Sequence, residues 1–196
     1  MGLGKNIRDA FEVVTETYEN VYKLMDYCRV EARKEDAEFK LASPKILHSQ
    51  IKNEESYWCL YHFILVFQNS KDKLLPNEWR DGPVYVMEIN FYPIGNEEPL
   101  LTIAKFEYVD GEIKNNWQKG CSQKDFSGFL DPLYDGTFEY EEKDWGYSRK
   151  VIDEKGADSD YWGLRKIAGA KIQLVEITRE NASEKIFGGF HSLIDK

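Results

Sequence analysis

The sequence is poor in the residues that build disulfide frameworks and metal sites. Its 196 residues include only three cysteines and three histidines. Cys28, Cys59 and Cys121 are odd in number and far apart, which is typical of free thiols in a reducing compartment. Cys59 and His62 are close in sequence, but residues three apart in a strand point to opposite faces and cannot share one ion. The sequence therefore predicts no metal site and no cofactor.

Long apolar runs are also missing. The longest, Tyr57–Phe67, is interrupted by His62 and is too short to cross about 30 Å of hydrocarbon as a helix. The first eight residues carry glycines and basic side chains and lead directly into a helical pattern, which is not the pattern of a secretory leader. We therefore expect a soluble, cytoplasmic protein that makes no membrane contact.

Positive charge is in deficit across the chain. Lysine and arginine total 26 against 35 aspartate and glutamate residues, so the net charge is -9. Such a field repels phosphate backbones, which argues against the binding of bare DNA or RNA over a broad basic surface. Apolar residues make up 42% of the chain without any low-complexity tract, which excludes a collagen-like or wholly disordered protein.

The patterns that mark common catalytic centres are absent as well. There is no Gly-x-Ser-x-Gly motif, and the glycine-lysine stretch at residues 2–5 lacks the remaining residues of a dinucleotide or P-loop fingerprint. Cys121 is the thiol expected to be most exposed, with Lys119 and Lys124 near enough in sequence to lower its pKa. An ordinary loop cysteine is the favoured interpretation, and the sequence predicts no catalytic residue.

The most regular feature that is present is a helical pattern over residues 1–38. Apolar side chains recur in alternating steps of four and three, at Ile7, Phe11, Val14, Tyr18, Val21, Met25 and Cys28. This spacing predicts one long amphipathic helix that packs on a sheet of the same chain. Because the mean step of about 3.5 residues also suits a coiled-coil seam, self-association into a homo-oligomer through this helix is an alternative.

Residues 56–178 alternate strand patterns with turn signals. Ser56–Gln68 is apolar on both faces, which predicts a central strand covered on both sides. Residues 110–136, with four glycines, predict a long packed loop, and residues 179–194 a C-terminal helical segment. The predicted architecture is a single α+β domain over residues 1–196, in which the long helix packs on a mainly antiparallel, curved sheet of about six strands.

A hairpin is predicted within this sheet from residues 84–94 and 100–109. One register collects the large aromatic side chains on one face and places Glu88 opposite Lys105 on the other. A slip of one residue would scramble both faces, so the pattern favours this register. The last strand is expected at Lys171–Thr178, after a helical turn.

Acidic and aromatic residues are concentrated in a second predicted hairpin, Thr137–Ile152, where Glu139 is expected opposite Lys150. Such a mixture suits docking on a basic protein surface, because aromatic rings supply anchor area while carboxylates steer the approach. The candidate partner-binding residues are Tyr140, Glu141, Glu142, Asp144, Trp145 and Tyr147. The structural alternative is a hairpin with an aromatic inner face and an acidic outer face.

Three functional hypotheses follow. The leading one is a non-catalytic, acidic protein-interaction component: a subunit, inhibitor or immunity-type protein that binds a basic partner protein. The second is a small-molecule-binding domain or hydrolase with a pocket between helix and sheet, with contacts from His62, Glu88, Asn90 and Tyr92. The third, a metal-dependent nuclease, is disfavoured because lysine and glutamate on the second strand of the first hairpin stand in the reverse of the expected order.

Overall fold

A computed structural model describes residues 3–43, 45–50, 60–93, 95, 98–109, 114 and 117–196. Within them the chain forms a long N-terminal helix, α1 (Leu3–Glu31), an antiparallel sheet of eight strands and short helices near the C-terminus. The predicted α+β class is therefore confirmed, with eight strands where about six were expected. The sheet also begins earlier than residue 56, because two short strands precede it.

The remaining elements are shorter than α1. The strands are β1 (Phe39–Leu41), β2 (Leu47–Gln50), β3 (Leu60–Asn69), β4 (Val84–Asn90), β5 (Leu100–Tyr108), β6 (Phe138–Lys143), β7 (Gly146–Val151) and β8 (Leu164–Gln173). The helices after α1 are α2 (Phe126–Leu130), α3 (Glu154–Asp160) and α4 (Gly189–Ser192). Three 3-10 turns lie at Gln123–Asp125, Asp131–Leu133 and Leu174–Glu176, and a π-helical turn lies at Glu184–Gly188.

The strands do not follow chain order in the sheet. The order is β1-β3-β4-β5-β8-β7-β6, and β2 also pairs with β3. All seven pairings are antiparallel. β5 and β8 are neighbours although the segment between them supplies β6 and β7, which extend the sheet beyond β8. Val109 N donates to Gly163 O at 2.9 Å where this segment begins and ends. The segment 110–162 is therefore one excursion inserted between two adjacent strands.

Alternating side chains of the sheet build two separate cores. On one side, Met25 and Cys28 of α1 pack with Phe63 and Phe190; we call this the helix face. On the other side, which we call the loop face, the segment 117–164 covers the sheet. Its core residues include Ile64, Val66, Phe106, Phe129, Leu133 and Leu164. β4 is buried at all seven positions, so the sheet is covered on both sides at its centre.

The first hairpin has the predicted strands but a different register. Glu88 pairs with Thr102, and Lys105 pairs with Tyr85, so Glu88 and Lys105 lie on opposite faces. The predicted pairing is wrong by three residues because the connection occupies residues 91–99 rather than a tight turn. Since β4 is buried on both faces, a shift of its pairing exposes no apolar side chain to solvent, and the hydrophobic pattern alone does not fix the register there.

Lys105 has a structural role instead of the predicted pairing. Its Nζ lies 2.6 Å from Glu107 Oε1 and donates to the carbonyls of Ile194 and Lys196, each at 2.9 Å. Nearby, Gly189 lets α4 approach the sheet closely, because a Cβ there would lie 2.2 Å from the Ile103 side chain. The predicted C-terminal helical segment is therefore docked against β5.

Other element boundaries also differ from the sequence expectations. α1 ends at Glu31 rather than at residue 38, because turns follow it and β1 begins at Phe39. The region 161–168, expected as a helical turn, belongs largely to β8, since pairing with β5 decides its conformation. The described part of the 110–136 loop contains α2 and two 3-10 turns. Residues 51–59, including Cys59 and the start of the predicted central strand, lie outside the described residues.

Candidate functional site

The predicted second hairpin is present, and Glu139 lies opposite Lys150 as expected. Its strand β6 is the last strand of the sheet and exposes Tyr140, Glu141 and Glu142. An acidic edge of this kind discourages the uncontrolled addition of another strand. Part of the predicted partner-binding set therefore lies on one exposed edge.

The rest of that set does not join the same surface. Tyr147 is buried on the loop face, where its ring stacks on that of Tyr140 with 5.6 Å between centroids. Trp145 is half-buried and packs against the core of the helix face, whereas Asp144 is exposed at the turn. The six residues therefore divide among two cores, one edge and the turn.

The alternative set of ligand contacts does come together. The carboxylate of Glu88 is fully buried, and its Oε1 lies 2.8 Å from Nδ1 of His62. The hydroxyl of Tyr134 donates to the two carboxylate oxygens at 2.8 and 2.9 Å, and Asn90 Nδ2 donates to that hydroxyl at 3.0 Å. We call these four residues the Glu88 centre. Tyr92 is not part of it, since it is 79% exposed and only its backbone N–H reaches Asn90 Oδ1, at 2.8 Å.

Strand register explains why three of these residues meet. His62 pairs directly with Asn90 across β3 and β4, and Glu88 lies two positions before Asn90 on the same face. Tyr134 comes from the turn after Asp131–Leu133, which packs over these two strands. The three strand residues occupy alternating positions on one face of the sheet, which the sequence pattern shows. Tyr134 reaches them from a distant part of the chain, and no local sequence pattern predicts that contact.

The Glu88 centre lies on the loop face and not between helix and sheet. Even-numbered positions of β3 and β4 face away from α1, as the core positions Ile64 and Val86 do. The predicted location of a ligand pocket beneath the long helix is therefore wrong for these residues. What covers them instead is the segment around Phe126 and Tyr134, whose ring centroids lie 6.5 and 6.3 Å from that of His62.

The electrostatics of the centre keep the hydroxyl of Tyr134 protonated. Burial, and then the negative charge of Glu88, raises the pKa of Tyr134 well above its usual value, and the same two causes act on the pKa of Tyr147. Tyr134 is therefore a hydrogen-bond donor at neutral pH. Thr102, across the strand from Glu88, holds a buried Oγ1 that has no hydrogen-bond partner in the described part of the chain.

Both His62 and Tyr134 reach solvent, and Tyr134 is 41% exposed. The His62 side chain is 21% exposed, and within the described residues no protein group bonds its Nε2. A carboxylate that holds Nδ1 fixes the orientation of the ring and leaves Nε2 to meet a ligand or a water molecule. The arrangement can bind a polar group or exchange a proton at that atom.

A second candidate surface is the N-terminal half of α1. The apolar stripe predicted from the sequence is buried at Val21, Met25 and Cys28 but emerges from the protein toward the N-terminus. There Leu3 is 77% exposed and Ile7 is 51% exposed. We call residues 3–20 the projecting half of α1. Other apolar residues exposed on it are Phe11 and Val13.

Two further features concern metal ligands and the thiol of Cys121. They contain no cluster of three or more histidine, cysteine, aspartate or glutamate side chains that could hold a metal ion. Cys121 is buried rather than exposed, and burial together with Asp125 raises its pKa to about 12. Lys119, expected to lower that pKa, pairs with Glu78 instead. The expectation of an accessible thiol at Cys121 is therefore wrong.

Comparisons with known proteins give no further guidance on function. No protein-family model matches the sequence, no curated protein matches it, and no solved structure matches the fold. In the part of the chain that the structure describes, no helix is long and apolar enough to cross a membrane.

Proposed function

We propose that the protein is a non-catalytic interaction component that binds a basic partner protein through the projecting half of α1. The observation that carries the proposal is the continuation of one apolar stripe beyond the sheet that buries its other end. A contiguous exposed apolar surface on a water-soluble domain is typical of a protein-binding site.

The exposed apolar area is large enough to contribute to binding. Fully burying an aliphatic side chain contributes about 1.5 to 3 kcal/mol. Leu3, Ile7 and Val13 each keep half or more of their surface exposed. A partner that covers all three would gain roughly 3 to 5 kcal/mol from them, before the entropic cost of association.

The charge of the chain favours a basic partner. The projecting half carries four carboxylates, Asp9, Glu12, Glu16 and Glu19, against the two basic side chains Lys5 and Arg8. Glu12 lies 3.6 Å from Arg8, and this neutral pair leaves the segment with an excess of two negative charges, four acidic against two basic side chains. With a net charge of -9 on the whole chain, long-range attraction steers a basic surface toward this protein and repels an acidic one.

Photo-crosslinking in native cells tests this proposal. A photo-reactive residue is placed at Ile7 in one variant and at Val30 in another. Val30 is a matched control, because it is 57% exposed on the same helix but lies on the side away from the stripe. Adducts are identified by mass spectrometry, and the same complexes are sought after Ile7→Glu and Val30→Glu.

We expect Ile7 to form a stoichiometric adduct with one basic protein, and Val30 to form none. Ile7→Glu should abolish the native complex while Val30→Glu preserves it. An adduct of the chain with itself would replace the proposed partner by a homo-oligomer. Equal labelling from both positions, or a complex that survives Ile7→Glu, would show that the projecting half is not the contact.

A second candidate function rests on the Glu88 centre. Here the protein binds a small polar molecule at His62 Nε2, because Glu88 holds the other ring nitrogen at 2.8 Å and the ring remains accessible. A thermal-shift screen of metabolites tests it, since a ligand at about 100 times its Kd adds roughly 2.7 kcal/mol of stability. The shift should vanish in His62→Gln and persist in Tyr92→Phe; a shift that persists in both would place the ligand elsewhere.

A further inference from the structure

A pocket of about 560 Å³ lies between α1 and residues 174–182, which follow β8. Its apolar lining is almost entirely aliphatic, with Val21 and Leu24 on α1 and with Leu174, Ile177 and Ala182 on the C-terminal side. The volume is within the range of small-molecule sites, which are mostly apolar and hold a few polar groups. The pocket is therefore large enough to take a small molecule.

The apolar walls offer accessible surface to a ligand. Leu24, Tyr27, Leu174 and Ile177 are each only partly buried, and they pack at the margin of the helix-face core. All four line the pocket, so part of the surface that they leave to solvent lies inside it. An apolar chain that enters the pocket would cover this surface and gain from its burial.

The charged residues that line the pocket are both basic. Lys23 lies on the α1 wall and Arg179 on the C-terminal wall, and no aspartate or glutamate among the described residues lines the pocket. This reverses the balance of the whole chain, in which 35 acidic residues outnumber 26 basic ones. Thr17, Asn20 and Thr178 add uncharged polar groups. The local charge therefore favours an anionic group.

The protein itself engages neither cation strongly. Arg179 has no salt bridge within the described residues, and its sequence neighbour Glu180 lies in electrostatic range without forming an ion pair. Lys23 Nζ donates to Asn20 Oδ1 at 3.4 Å and lies 4.0 Å from Glu19, but the side chains of Lys23 and Glu19 are 71% and 62% exposed. Such an exposed pair contributes little to stability. Both basic groups can therefore turn to a ligand at low cost.

Hydrogen bonds fix the shape of the C-terminal wall without a ligand. Leu174 N donates to Pro99 O at 2.9 Å, which ties the start of the wall to the sheet. Further along, the Asn181 side chain accepts from Thr178 N at 2.8 Å and donates to Glu176 O at 2.9 Å. A pre-ordered wall lowers the entropic cost of binding.

From these observations we infer that the pocket binds a carboxylate with an unbranched alkyl chain, of the medium-chain fatty-acid class. The aliphatic walls suit the chain, and Tyr27 is the one ring among the described lining residues. Lys23 and Arg179 suit the carboxylate, because an arginine can bind both of its oxygens. The site adjoins the projecting half of α1 but needs no partner protein, so it goes beyond the function proposed above.

Isothermal titration calorimetry of the full chain with octanoate and decanoate, each below its micellar concentration, tests the inference. We expect saturable binding of one molecule per chain. Decanoate should bind about fifteenfold more tightly than octanoate, because each buried methylene contributes about fourfold. Octanol has the same chain as octanoate without the charge and should bind about threefold more weakly or less. Added salt should weaken the binding of octanoate and not that of octanol.

Two variants test the recognition of the carboxylate. Arg179→Gln and Lys23→Gln remove one charge each, and each should weaken the binding of decanoate about two- to fivefold, the effect of losing an exposed ion pair. Arg33→Gln is the matched control, because Arg33 is exposed in the turn after α1 and does not line the pocket. It should leave the Kd of decanoate unchanged.

A larger side chain tests the position of the alkyl chain. Ile177→Trp should fill the pocket and abolish the binding of both carboxylates. Val175→Trp is its control, because Val175 lies on the same segment, is 72% exposed and does not line the pocket. If Ile177→Trp does not fold, Arg179→Gln and Arg33→Gln still decide, since both change exposed side chains.

Four outcomes would overturn the inference. One is the absence of saturable binding by either carboxylate, and another is equal affinity for octanoate and octanol, which would identify an apolar cavity without anion recognition. A third is tighter binding of octyltrimethylammonium than of octanoate, which would identify a cation site. The last is unchanged affinity in Ile177→Trp or in Arg179→Gln, which would place the ligand elsewhere. All are measured on the purified chain alone, so failure here leaves the proposed partner binding through α1 untouched.

Discussion

The substitution Tyr134→Phe measures how strongly the Glu88 centre holds the segment around Tyr134 to the loop face of the sheet. It removes one hydroxyl and leaves the ring, so no cavity of consequence forms. The hydroxyl donates to the buried carboxylate of Glu88 and accepts from Asn90. A hydrogen bond to a charged group contributes about 1.5 to 3 kcal/mol, and an orphaned amide adds about 1. We expect the free energy of unfolding to fall by about 2 to 4 kcal/mol.

Urea denaturation monitored by circular dichroism is the assay, with thermal melting as a second measurement. For a chain of this length about 1 kcal/mol corresponds to roughly 2 to 4 °C, so Tm should fall by about 4 to 16 °C. Tyr140→Phe is the control: Tyr140 is 50% exposed, close to the 41% of Tyr134, but in the part of the chain that the structure describes its hydroxyl has no hydrogen-bond partner. Its loss should change the free energy of unfolding by less than about 0.5 kcal/mol. Equal effects of the two substitutions, or a loss below about 0.5 kcal/mol for Tyr134→Phe, would refute the reasoning.

Three other predictions concern the cores and the thiols. Arg149 donates to the carbonyls of Leu133 and Phe138 at 2.7 and 3.0 Å, so Arg149→Met should lower the free energy of unfolding in urea by about 3 kcal/mol or more; a neutral effect would contradict this. In the same assay, Met25→Ala should lower the free energy of unfolding by about 2 to 5 kcal/mol, because Met25 is fully buried, whereas Ile7→Ala at an exposed position should lower it by less than about 0.5 kcal/mol. Similar losses in the two variants would disprove the difference in burial along α1. Burial raises the pKa of the Cys28 and Cys121 thiols to about 12. The contribution of the neutral thiols to the free energy of unfolding is therefore present below pH 9 and is lost as the pH rises toward 12. Iodoacetamide at pH 9 should label neither thiol in the native protein, and peptide mass spectrometry measures this; labelling of either would contradict their burial.

Local patterns predicted α1 because it has a single apolar stripe, and the second hairpin because its turn is short. The step pattern from Ile7 to Cys28 reflects that stripe, and the two-residue connection between Lys143 and Gly146 fixes Glu139 opposite Lys150. The first hairpin has no such short turn. Because β4 is buried on both faces, its pairing depends on the length of the connection to β5, which an apolar pattern does not encode.

The candidate site was predictable only in part. His62, Glu88 and Asn90 were expected near one pocket, and strand pairing does bring them together. Tyr134 was missed because a turn more than 40 residues away in sequence delivers it. Cys121 was expected to be exposed because its neighbours are polar, but the contacts that bury it come from other segments, so sequence alone did not reveal its burial.

The two faces of the sheet are covered by parts of the chain with different origins. The helix face is covered by the two ends of the chain, α1 and α4, whereas the loop face is covered mostly by the single segment between Val109 and Gly163, whose ends are joined by one backbone hydrogen bond. Because β7 of this segment pairs with β8, the segment extends the sheet as well as covering it, and it cannot separate from the sheet without breaking the β7–β8 pairing. The cover of the loop face is therefore tied to the sheet by backbone hydrogen bonds, whereas α1 lies on the helix face through side-chain packing.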